Sequence, residues 1–119
     1  MADLDLVEFA VDYARQKGAT YAEARFEHQR NEEFILKNSV LDALYITEDS
    51  GLGVRVLAKG GLGFAATNAL TKADVRAIVD DAIRIARAAR RKDPIVFAPE
   101  DPVVMEWSVP QGRKLADVP

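Results

Sequence analysis

Residues 51 to 71 read GLGVRVLAKGGLGFAATNALT, and five of the chain's seven glycines fall within the first thirteen of them. Glycine loses the most backbone entropy on folding and offers a strand no side chain to pack. Such a density inside apolar alternation needs a reason: a turn, a bend, a phosphate cradle or a close backbone approach. Leu52, Val54, Val56 and Ala58 alternate with Gly53, Arg55, Leu57 and Lys59. After a Lys59-Gly60-Gly61 turn, Leu62, Phe64 and Ala66 alternate with Gly63, Ala65 and Thr67. The pattern predicts a glycine-bent hairpin in which Gly60 and Gly61 make the turn and Gly63 leaves one sheet face open to another backbone.

A phosphate-binding reading fails on context. GLGFAA, residues 61 to 66, fits the letters of the dinucleotide fingerprint, but that motif opens directly into a helix, whereas FAAT is strand-like. The first helix signal after it is Thr71, with Asp74 at capping-box spacing. No glycine is followed by the Lys-Ser/Thr pair of a P-loop.

The flanking segments extend the reading. In DLDLVEFAVDYARQKG, Leu6, Phe9, Ala10, Tyr13 and Ala14 form one helical stripe, with Asp3 as N-cap and Gly18 at the left-handed C-terminal position. YAEARFEHQ alternates, with Ala22, Ala24, Phe26 and His28 on one face and Glu23, Arg25, Glu27 and Gln29 on a wet one. Residues 33 to 38 and 40 to 48 read as two further strands joined at Asn38-Ser39. Val75, Ile78, Val79, Ala82, Ile83 and Ala86 mark a second amphipathic helix running through residue 91. All five prolines fall between residues 94 and 119, which excludes a long helix there. The expected fold is α+β: an antiparallel sheet of about five strands with two helices on one face, in the order α-β-β-β-β-β-α, plus a Pro-rich C-terminal arm. Residues 1–92 would be the domain and 93–119 the linker or docking arm. Within that arm, Val103, Val104, Met105 and Trp107 are an apolar cluster, so part of residues 95 to 107 is expected to pack on the sheet or its helices.

Composition narrows the chemistry. Sixteen Lys+Arg against nineteen Asp+Glu, a net charge of -3, give no global basic field for nucleic acid. No apolar run approaches a membrane span, and the acidic MADLDLVEFA is unlike a signal peptide, so a cytoplasmic location is expected. Zero cysteines remove disulfides, thiolate ligation and a thiol nucleophile. His28, the only histidine, has no carboxylate-histidine pattern around it and reads as structural. Ser39, Ser50 and Ser108 lie outside any nucleophile elbow, and each would depend on His28 as base. RAARRK, residues 87 to 92, suits the last turn of a helix, where the dipole favours cations. Asp80 four residues before Arg84 reads as an exposed helix pair. These residues describe a module that binds, positions or assembles, with no catalytic residue and no metal ligand set of its own.

The succession YAEARFE, a hairpin, SGLGVRVLAKGGLGFAATNALTKADV and DDAIRIARAAR resembles the N-terminal domain of the TldD/PmbA family of peptidases, also named modulators of DNA gyrase. The similarity spans about residues 5 to 91, and GLGFAATN is more like the TldD side than the PmbA/TldE side. It implies a parent that is a metal-dependent peptidase acting on extended or unfolded peptides, with zinc held by an HExxxH motif in a later domain. No HExxxH occurs in this chain. The resemblance therefore implies an N-terminal fragment with no cofactor of its own; the alternative is a stand-alone assembly or dimerisation module without peptide binding, and after it a nucleic-acid-binding domain. The fragment's partners would be the catalytic domain that follows and a homo- or hetero-oligomeric family partner; a membrane is not implied, nor nucleic acid. Gly53, Arg55, Gly63, Phe64, Thr67 and Asn68 are assigned by motif position to the wall of a peptide-admitting cavity or its interface. A side chain at Gly53 or Gly63 would then obstruct backbone approach, and Gly63→Val is expected to leave the isolated fold nearly intact while disabling the parent.

Overall fold

The computed structural model describes residues 2–119. Helix α1 (Ala2–Gln16) is followed by strands β1 (Tyr21–Lys37), β2 (Val40–Ala58) and β3 (Gly61–Thr67) and by helix α2 (Lys72–Ala88). The strands form one antiparallel sheet in the order β1-β2-β3.

Three strands, not about five, make this sheet. The expected runs 21–29 and 33–38 merge into β1, and 40–48 and 52–59 merge into β2. The polar residues that look like breaks in the sequence face each other in the ladder: Gln29 opposite Asp49, Arg30 opposite Glu48, His28 opposite Ser50. Each apparent breaker thus finds backbone partners across the ribbon, and pairing overrides its weak β-propensity. The one irregularity is a bulge at Ile35/Leu36, where Leu36 pairs Leu41 and Ile35 pairs Ala43, so Asp42 is the extra residue.

Both hairpin turns use left-handed backbone. Asn38 (φ 50°) and Ser39 (φ 63°) join β1 to β2, and Lys59 (φ 53°) and Gly60 (φ 77°) join β2 to β3. Two successive positive φ values are what a two-residue turn needs to match strand twist. Gly61, expected in the second turn, is instead the first residue of β3.

The helix ends follow local chemistry. Gly18 (φ 97°) ends α1; its N–H bonds to Arg15 O and that of Ala19 to Ala14 O, the paired bonds of a Schellman cap. Asp3 does not cap α1 but lies inside its first turn with Asp5, where the helix dipole favours acids. Thr71 caps α2 as expected, accepting a hydrogen bond from Asp74 N at 3.1 Å. Helix α2 stops at Ala88, short of residue 91.

Both helices pack on one sheet face. The core joins Ala10 and Ala14 of α1, Leu52, Val54, Val56 and Ala58 of β2, and Val75, Ile78, Val79, Ala82, Ile83 and Ala86 of α2. Each fully buried Val or Leu contributes about 1.5–3 kcal/mol. From β3 this face receives Gly61 and Gly63, both buried, while Leu62 and Phe64 are exposed. A Cβ at Gly63 would stand 1.8 Å from Ala82 O, and one at Gly61 would stand 2.1 Å from Ala86 O. The backbone that approaches these glycines is therefore α2 itself, a correction to the expectation that Gly63 admits another domain.

The charged pairs differ in detail from expectation. Arg84 bonds Asp81 at 2.7 Å, whereas Asp80 accepts from Tyr13 OH at 3.1 Å and ties α2 to α1. Beyond α2, a Pro-rich docking arm is not formed as a unit. Residues 93–119 contain only a short 3-10 turn at Leu115–Asp117. Ile95 N bonds Gly60 O at 3.0 Å, and Phe97 packs edge-on against Tyr21, with ring centroids 4.8 Å apart. Met105 and Trp107 remain exposed.

The two faces of the glycine hairpin should respond oppositely to substitution. Gly63→Val should unfold the chain or cost more than about 3 kcal/mol, because helix backbone cannot yield without losing the core. Gly53→Val meets only the Phe64 ring, at 3.2 Å, which can turn away, and should cost about 1 kcal/mol or less. Urea titration of the two variants checks this, and equal loss in both would refute the assignment of faces.

Candidate functional site

With the helices covering one face, the other carries a shallow groove of about 400 Å³. Its floor is Gly51, Gly53, Phe64 and Ala66, and its rim is Glu23, Arg25, Glu27 and Arg55. Register explains the grouping: Arg55 pairs Glu23 on one side and Phe64 on the other, and Gly53 lies between Arg25 and Ala66. Without a side chain at Gly53, the Phe64 ring lies over the backbone there. An apolar floor between alternating charges can accept an aliphatic or aromatic side chain while its backbone meets the polar rim.

The rim is organised by one carboxylate. Glu23 Oε1 bonds Arg55 Nη2 at 2.7 Å, and Glu23 Oε2 accepts from Tyr21 OH at 2.6 Å. Arg55, and then Tyr21, hold the Glu23 carboxyl below its ordinary pKa, because both hydrogen bonds favour the charged form. The same bond to Glu23 raises the Tyr21 phenol, with burial adding to the shift. Arg55 also stands 5.4 Å from the Phe97 ring. Glu23 and Arg55 thus border a second hollow formed with Phe97, Glu100 and Pro102. Leu57, on this face, is only 4% exposed beside Ile95 and Phe97.

Of the six residues singled out in the sequence, Gly53, Arg55 and Phe64 meet in this groove. Gly63 faces α2 on the opposite side. Thr67 closes β3, its Oγ1 accepting from Ala69 N at 3.0 Å, and Asn68 is exposed in the bend that follows. Glu23, Tyr21 and Phe97 were not singled out. Strand alternation had placed Glu23 on the wet face, but only the β1–β2 register brings it to Arg55.

His28 and Ser50 do come together. Nδ1 of His28 lies 2.6 Å from Ser50 Oγ, and Nε2 lies 3.3 Å from Glu48 Oε1. The histidine and glutamate side chains are 50% and 62% exposed. They sit as cross-strand neighbours on an open ribbon, without the water-excluded, preorganised surroundings that acyl transfer needs. Among the described residues, no group of three or more His, Asp or Glu side chains is placed to hold a metal ion. Of the basic run, Arg87 bonds Lys17 O at 3.0 Å and Arg91 pairs Asp93, so it serves helix ends as well as solvent.

Residues 22–86, more than half of the chain, match the family model described as PmbA/TldA metallopeptidase domain 1. The chain belongs to the PmbA/TldD family. Its fold recurs in a Bacteroides thetaiotaomicron crystal structure described as a candidate modulator of DNA gyrase, with TM-score 0.71 and 24% identity over 81% of this chain. It recurs also in TldE from Thermococcus kodakarensis, with TM-score 0.69 and 16% identity over 92% of this chain. At such identities the likeness is one of fold. The chain spans 22% and 24% of the length of those two proteins. No curated protein sequence matches it. No helix among the described residues is long and apolar enough to cross a membrane.

The Glu23 cluster carries a signed pH dependence. A carboxylate whose folded pKa is lowered adds stability above its unfolded value and loses it as pH falls through the folded one. Glu23→Gln should therefore melt below the parent chain at pH 7, with the gap closing as the pH drops beneath the usual carboxylate range. Melting curves from pH 7 to 2.5 measure this; a gap that stays constant would mean that the charge on Glu23 does not hold the cluster.

Proposed function

We propose that this chain is the non-catalytic first domain of a TldD-like metal-dependent peptidase, and that its groove forms part of the wall of a cavity admitting extended peptides. The observation that carries this reading is the convergence of Gly53, Arg55 and Phe64, with Glu23, on the sheet face that the helices leave free. An extended chain presents side chains at period two, and a sheet face offers matching spacing. The glycine-rich GLGFAATN favours the TldD side of the family. In this reading zinc and the peptidase chemistry reside in a further catalytic domain, and residues 93–119 lead toward it. That domain and a family partner subunit are the proposed partners.

Two measurements test the proposal. Titration of the isotope-labelled chain with an unfolded casein peptide should shift the amides of Gly51, Gly53, Arg55, Phe64 and Ala66, and Phe64→Ala should weaken binding several-fold. Shifts confined to the helix side, or none at millimolar peptide, would overturn it. The chain alone, incubated with casein and zinc, should show no cleavage that a chelator abolishes; chelator-sensitive cleavage would place catalysis within these residues.

A further inference from the structure

Residues 95–97, which follow α2, cover one end of the free sheet face. Leu57 stands between Tyr21 and Leu62 in the ladder, on the same face as Gly53 and Arg55. The helices pack on the other face, so the cover that leaves Leu57 only 4% exposed comes from Ile95 and Phe97 together with Tyr21. The hold on this segment is slight. Ile95 N to Gly60 O, at 3.0 Å, is the only backbone hydrogen bond it makes to the sheet among the described residues. Phe97 rests edge-on against Tyr21 with the Arg55 guanidinium 5.4 Å from its ring, whereas Val96, between the two anchors, is 78% exposed. Glu23 aims both partners of that ring through its bonds to Tyr21 and Arg55. A segment held by one backbone bond and one ring opens far more readily than the core.

We propose that residues 95–97 are an autoinhibitory latch: Phe97 occupies the end of the face along which an extended peptide in the groove would continue, and the peptide must displace it. The sheet sets the conflict. Gly53, Arg55 and Leu57 follow one another along β2 at two-residue steps, so the groove floor and the seat of the latch are only about 13 Å apart, a span that an extended peptide covers in about four residues. Arg55 cannot serve both occupants freely, since it borders the groove beside Phe64 and also faces the Phe97 ring. Phe97 shows in addition what this end of the face accepts, an aromatic side chain flanked by a phenol and a guanidinium. Proline brackets the segment at Pro94, beside Gly60, and at Pro99. Neither proline has an N–H with which to extend a ladder, so the segment lies over the sheet as a removable cover and does not join it as a strand.

This inference rests on the groove being the peptide wall. A closed latch lowers the apparent affinity for peptide by the fraction of molecules that are open, and a bound peptide loosens the latch by the same coupling. Amide exchange and peptide titration of the isotope-labelled chain test it together. The Ile95 amide should exchange roughly tenfold faster in Phe97→Ala than in the parent chain, while the Val54 and Val79 amides and the circular dichroism stay as they were. Phe97→Ala should bind the unfolded casein peptide several-fold more tightly than the parent, and Val96→Ala, altered within the same segment but not at an anchor, should bind it as the parent does. Saturating peptide should speed Ile95 exchange in the parent. An Ile95 amide as unprotected in the parent as in Phe97→Ala, a peptide that slows Ile95 exchange, or peptide binding no tighter in Phe97→Ala would each overturn the latch and leave the groove standing. Binding by neither chain would remove the groove as a peptide wall, and the latch with it.

Discussion

The contact on which the rest depends is that of α2 against β3 through Gly61 and Gly63. With no side chains there, the helix lies with Ala82 and Ala86 carbonyls at distances that a Cβ could not share. This close approach brings Val75, Val79 and Ile83 down onto Leu52, Val54 and Val56, and the resulting core chooses which sheet face is dry. Once that choice is made, Gly53, Arg55 and Phe64 are left on the wet side, because a strand cannot turn one residue without turning its neighbours. The groove is thus a consequence of where the helices pack.

The same choice explains how the remaining groups are used. Glu23 gathers Tyr21 and Arg55, and Arg55 in turn lies near Phe97, so one half-buried carboxylate links β1, β2 and the segment after α2. The long ribbon is a different matter. Its radius of gyration contribution is visible in the whole molecule, 19.3 Å against about 13.5 Å for a compact chain of this length. It protrudes as a two-stranded element with Phe34, Leu44 and Ile46 in solvent.

Local chemistry in the sequence determined the two helices, the Asn38-Ser39 turn, the Gly18 and Thr71 caps and the alternation of β2, since each rests on contacts within a few residues. Family membership was legible for the same reason, in the run from YAEARFE to the Ala-rich helix. Tertiary structure decided the rest. Whether Gln29, Arg30, Asp49 and Ser50 break a strand or pair depends on what lies opposite, and register made two long strands out of four expected runs. Whether Phe64 or Gly63 faces the core could not be read from an alternation in which one face is apolar and the other is small. Apolarity favours burying Phe64, but the helix needs the space that only glycine leaves, and the packing of an entire helix outweighs the burial of one ring.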